Sequence, residues 1–186
     1  MLLIKYNYIW LSKLVNQLLF LMKKNNHIVV LVGVCGTGKS VIGEKVAKRL
    51  EVPFFDADIL FKEELLESKK DGDSISNKWL TAITDLIDKE FYKKGCVVSC
   101  SILKKEQRLL LAKNIGHEID WVFMRGTYEE VNQRLEKGLT QPLTESSLES
   151  DFQVLEIPKR ALAVDISSTP QEMVDTILKY LARKYG

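Results

Sequence analysis

His27-Ile28-Val29-Val30-Leu31-Val32-Gly33-Val34-Cys35-Gly36-Thr37-Gly38-Lys39-Ser40-Val41 is the stretch that decides the fold. Its first six residues are mostly β-branched or aliphatic, as in a strand buried on both faces. The chain then turns through three glycines and ends on a lysine and a hydroxyl. Gly33-x-x-x-x-Gly38-Lys39-Ser40 is a complete P-loop pattern. Its glycines let main-chain amides turn inward around phosphate oxygens, and the following helix adds its positive end. Lys39 supplies a point charge for the β- and γ-phosphates. Ser40 offers an oxygen to magnesium, a hard cation. The expected nucleotide contacts are Gly33, Gly36, Thr37, Gly38, Lys39, Ser40 and Val41.

Outward from this loop, strands alternate with helices. Helical spacing is expected over residues 39–50, 59–68, 79–92, 104–112, 127–138, 148–155 and from 169 onward. Strands are expected over 27–32, 52–55, 96–100, 119–124 and 160–166. Thr127-Tyr128-Glu129-Glu130 is a capping box, and Thr169, Pro170 and Glu172 mark another helix start. Residues 69–77, with Asp71, Gly72 and Asp73, read as loop, and so do 138–147. Five strands separated by helices predict an α/β doubly wound parallel sheet with helices on both faces.

The chain has 186 residues, 46% hydrophobic and 28% charged, which suits one globular domain. A net charge of +2 gives no broad basic field for nucleic acid. Cys35, Cys96 and Cys100 make no disulfide framework, and the two histidines, His27 and His117, are remote from them in sequence. A reducing, cytoplasmic location is expected. Residues 1–25 form an apolar N-terminal extension, and 26–186 the catalytic domain. Within 1–22, polar residues such as Lys5, Ser12, Lys13 and Asn16 gather on one helical face. Three readings fit: a helix packing on the domain or a partner, contact with a membrane surface, or a native start at Met22, which is favoured here.

Phosphoryl transfer requires positioning and charge neutralisation more than covalent chemistry. Carboxylates near the strand ends are therefore expected, and Asp56-Ala57-Asp58 follows the second strand directly. One carboxylate serves magnesium or its water, and the other orients or deprotonates an acceptor hydroxyl. Catalytic roles fall to Lys39, Asp56 and Asp58, and metal contacts to Ser40 and Asp56. Ser101, Lys104 and Arg108 share a helical face after the third strand, suiting an anionic substrate. Substrate contacts are thus expected from Asp58, Ser101, Lys104 and Arg108. The competing readings are a turn with a helix cap for the aspartates and a solvated basic face for the last three.

Together these segments resemble the gluconokinase family, P-loop sugar-acid kinases related to shikimate kinases. The resemblance spans about residues 29–181. It rests on the P-loop with Gly43 and Ala47, on Asp56-x-Asp58, on Cys100-Ser101-x-Leu103-Lys104-Lys105-x-x-Arg108, on Phe152, Leu155, Glu156 and Pro158, and on Val164-Asp165-Ile166. It implies strand order 2-3-1-4-5, a mobile lid at about 138–147, and phosphorylation of D-gluconate at its 6-hydroxyl using ATP and Mg2+. It also implies that Arg108 holds the substrate carboxylate and that Arg134 faces the transferred phosphoryl. Phe61-Lys62 stands where the family has His-Pro, and Gly138-Leu139-Thr140 where it has Gly-His-Phe. The alternatives are a kinase of another small hydroxy acid, shikimate-like, or a nucleotide-binding regulatory protein. The protein is expected as a monomer or homodimer.

Overall fold

The computed structural model describes residues 26–65, 77–138 and 148–185. The N-terminal extension, the loop over 66–76 and the expected lid from 139 to 147 lie outside them. In chain order the elements are β1 (His27–Val32), α1 (Lys39–Leu50), β2 (Phe54–Asp56), α2 (Ala57–Leu60), α3 (Asn77–Phe91), β3 (Gly95–Cys100), α4 (Lys105–Ile115), β4 (Asp120–Arg125), α5 (Tyr128–Glu136), α6 (Leu148–Val154), β5 (Leu162–Asp165) and α7 (Pro170–Tyr185). The strands form one parallel sheet in the order β2-β3-β1-β4-β5, as expected.

Alternation along the strands divides the core into two. Ile28, Val30, Val32, Cys96, Val98 and Cys100 face α3 and α4, where Leu80, Ile83, Ile87 and Leu111 meet them. Val29, Leu31, Val97, Val122 and Met124 face the other way, toward Ile42 and Val46 of α1 and Val174 and Ile177 of α7. Burying each such aliphatic side chain contributes about 2 kcal/mol, so the sheet is held from both faces. Gly43 brings α1 against β2, because a Cβ there would stand 2.5 Å from the Phe54 ring.

Most boundaries shift by one to three residues from the sequence reading, and two of the shifts bear on the site. Pro53 has no amide donor, and β2 begins only at Phe54. The helix expected from Ile59 instead starts at Ala57, because Asp56 caps it by accepting from the Ile59 amide at 3.2 Å. Both capping boxes are present, through Thr127 with Glu130 and through Thr169 with Glu172.

The base of β4 is pinned by a buried carboxylate. Asp120 accepts from Lys184 Nζ at 2.7 Å, Tyr185 Oη at 2.9 Å and Tyr180 Oη at 3.3 Å, all on α7. Its charge is paired and hydrogen-bonded, as burial demands. Lys184 keeps some solvent contact, which screens part of the attraction. Asp120→Ala is expected to lower unfolding free energy by about 2 kcal/mol in urea titration, below the full value of a buried pair. Lys184→Met should cost at least as much, because it leaves the fully buried carboxylate without its cation.

Candidate active site

The C-terminal ends of β1, β3 and β2 lie side by side, since Val32 pairs with Cys100 and Ser99 with Asp56. Every loop that carries site chemistry leaves the sheet at this edge. The P-loop after β1 closes under two constraints. Gly36 and Gly38 have φ of 89° and 85°, a region that side chains disfavour. A Cβ on Gly36 would also stand 2.9 Å from Val131 of α5. Thr37 Oγ1 donates to the Val34 carbonyl at 2.9 Å and fixes the turn from within.

Lys39 is buried, with Nζ donating to the carbonyls of Gly33 at 2.9 Å and Val34 at 3.1 Å. The ammonium is thus stored inside the loop that it serves. Ser40 Oγ donates to Asp56 Oδ2 in a short contact, which joins the helix start to the end of β2. Val41 occupies the first turn of α1 with its side chain exposed.

Asp58 is 6% exposed and held from β3: Ser101 donates to its carboxylate through the amide at 2.9 Å and through Oγ at 2.6 Å. Burial raises its pKa above the ordinary carboxylate value, and Lys39 and the Ser101 hydrogen bonds oppose that only in part. The carboxyl is therefore fixed in orientation and tuned toward proton exchange.

Arg108, expected as a substrate contact, is held by main-chain carbonyls. Its NH1 donates to the carbonyls of Ile102 at 3.1 Å and Leu103 at 2.6 Å, and NH2 to that of Glu156 at 2.5 Å. The residue is buried, and desolvation lowers its pKa. A guanidinium satisfying three main-chain carbonyls is a strut that ties the loop after β3 to the segment after α6. Glu156 reinforces that tie: its amide donates to Leu103 at 3.0 Å, and its carboxylate accepts from the Lys105 amide at the start of α4. Lys104 stands half-buried just before that helix.

Arg134 is brought to the flank of the P-loop, with NH1 3.7 Å from where a Cβ on Gly38 would lie. Its NH2 donates to the Ile166 carbonyl. It lines a cavity of about 280 Å³ with Gln133, Lys137, Ile166 and Ser167.

Two residues at the site were not singled out from sequence. Ser99 pairs with Asp56 across the sheet and shares its face, and its fully buried hydroxyl has no hydrogen-bond partner. Asp151, buried on α6, faces the Cys35 amide at 3.5 Å. Strand alternation would have placed Ser99 on the α1 face. Nothing in the sequence signals the contact of Asp151. Burial pushes the Cys96 thiol up to about 12 and Cys100 higher still, so neither is a reactive thiol. Among the described residues, no cluster of three metal-ligating side chains occurs, and no helix is long and apolar enough to cross a membrane.

A phosphate loop at the sheet's open edge, with an internal lysine and two carboxylates where β2 passes into α2, defines a P-loop small-molecule kinase. Comparison with known proteins narrows that class. A family model described as Shikimate kinase matches residues 35–181. A thermosensitive gluconokinase of Escherichia coli is 33% identical over 137 residues, covering 70% of this chain and 72% of the relative. A probable gluconokinase of Dictyostelium discoideum is 28% identical over 86% of this chain and 88% of its own length. The crystal structure of a gluconokinase from Sinorhizobium meliloti superposes with a TM-score of 0.73 at 30% identity, covering 87% of this chain and 94% of that one. The chain belongs to the shikimate kinase family, and the Escherichia coli likeness places it with the gluconokinases. It is an ATP-dependent small-molecule kinase.

Asp58→Asn keeps an acceptor for the Ser101 amide and removes a carboxylate whose burial outweighs its attractions. It is expected to raise unfolding free energy by about 1 kcal/mol at pH 7 while abolishing turnover. The raised native pKa means that the wild type loses stability as pH rises above about 4, the unfolded carboxyl value. The advantage of the variant should therefore vanish below that pH. Denaturant titrations at pH 3.5 and 7.5 check this, and a destabilised variant at pH 7.5 would contradict it.

Proposed function

We propose that this protein transfers the γ-phosphoryl group of ATP to a hydroxyl of D-gluconate, giving 6-phosphogluconate and ADP. One observation carries this reading: Asp58, clamped by Ser101, lies in the same buried neighbourhood as the Lys39 ammonium inside the P-loop. That arrangement puts an acceptor-orienting carboxylate beside a triphosphate cradle. The names of the relatives favour gluconate as the acceptor.

In this reading, the amides of residues 36–40 hold the β-phosphate, and Lys39 exchanges its two carbonyl partners for phosphate oxygens. Asp58 accepts the proton of the attacking hydroxyl as the new O–P bond forms and the bond to the ADP oxygen breaks. Lys104, which caps α4 three residues after Ser101, meets the substrate carboxylate. Arg134 serves the nucleotide: its planar guanidinium borders the cavity beside Ile166 and Ser167, which suits a base.

The donor set fits magnesium. Ser40 Oγ and Asp56 are hard oxygen ligands already in contact, and the orphan hydroxyl of Ser99 faces the same side, able to bond a metal-held water. Bound there, magnesium would neutralise charge on the β- and γ-phosphates. Ser40 and Asp56 would hold it, with Ser99 behind them.

A second acceptor is kept because the family model is that of shikimate kinases and Phe61-Lys62 replaces the His-Pro pair. A panel of gluconate, other sugar acids and shikimate, read by ADP release, separates the two. Gluconate-dependent release is expected, and activity confined to another acid overturns the choice. Lys39→Ala should lower kcat/KM by on the order of 100-fold, about 3 kcal/mol of transition-state stabilisation. Turnover near wild type would defeat the mechanism.

A further inference from the structure

A half-open groove of about 780 Å³ lies between α4, the start of β4 and residues 156–160. None of the P-loop, Asp56, Asp58 or Ser101 lines it. Its volume falls in the range of small-molecule sites, roughly 300–1,000 Å³.

The floor is apolar: Ala112, Ile119 and the half-buried ring of Trp121. Leu109 and Ile157 stand on its walls at 60% and 66% exposure, unusually high for large aliphatic side chains on facing segments. Four cations border this surface, Lys105, Arg108, Lys159 and Arg160, against one carboxylate, Glu156. Arg108 is occupied by carbonyls. Lys105, Lys159 and Arg160 are exposed and form no ion pair among the described residues, whereas Lys93, Arg125 and Lys184 elsewhere do. The Glu156 carboxylate accepts from the Lys105 amide at the start of α4, so the one acid of the groove is already engaged there.

We propose that this groove is a second binding site, for an organic anion carrying a carboxylate, sulfonate or phosphate on a flat apolar body. The apolar part lies on Trp121 and Ile119 between Leu109 and Ile157. The anionic group meets Lys159, Arg160 and Lys105. A polyhydroxylated acid such as a sugar acid fits poorly, because the floor offers its hydroxyls no partners. The site is therefore independent of the acceptor and of the phosphate loop.

The test uses the full chain with saturating ADP, so that the nucleotide site is filled. Two probes are titrated: 8-anilinonaphthalene-1-sulfonate and N-phenyl-1-naphthylamine, which has the same rings and no charge. Quenching of Trp121 emission is the readout, with Trp121→Phe identifying that signal. One sulfonate probe per chain is expected to bind, weakening as salt rises. The neutral probe should bind at least about tenfold more weakly, as should the sulfonate to Lys159→Glu/Arg160→Glu. ADP affinity and circular dichroism of that variant should match wild type. If it fails to fold, the comparison of the two probes still decides. Equal affinity for both probes, or sulfonate binding unchanged by charge reversal, overturns the proposal. So does a dimer in sedimentation that Leu109→Glu splits, since a second copy would then cover the groove.

Discussion

Lys39 lies inside its own loop, its charge resting on the carbonyls of Gly33 and Val34, while buried Asp58 is clamped by Ser101 within its field. An ammonium and a carboxyl withdrawn from water both need hydrogen-bond partners, and the site is arranged around that need. The parallel sheet meets it by bringing β1, β2 and β3 to one edge with their ends in register. A slip of one residue in β3 would turn Ser99 and Cys100 to opposite faces and move Ser101 away from Asp58.

The polar groups at this edge are satisfied from within the chain. Lys39 donates to two carbonyls, and Ser40 donates to Asp56. Asp151 on α6 belongs to the same pattern, with its carboxylate near the Cys35 amide of the anion cradle. Such preorganisation limits the reorganisation required when charge develops in the transition state.

The loop after β3 shows how one segment serves catalysis and stability together. Ser101 clamps Asp58, and Arg108, seven residues on, ties the same loop to Glu156 after α6. The arginine was read from sequence as a substrate grip because a forked donor on a helix face after a strand end suits an anion. In the fold that fork meets the carbonyls of Ile102, Leu103 and Glu156.

Local pattern determined much of this protein. The glycine spacing of residues 33–40 requires a phosphate loop, strand alternation and helix caps set the element order, and the Asp56-x-Asp58 pair marks the second chemical group. These signals are legible because each depends on neighbours within a few residues. The tertiary structure alone decided which partner each charged group meets: Asp58 with Ser101, 43 residues away, Arg108 with Glu156, 48 residues away, and Cys35 with Asp151, 116 residues away. A side chain's role depends on what surrounds it once water is excluded, and periodicity carries no record of contacts made across the fold.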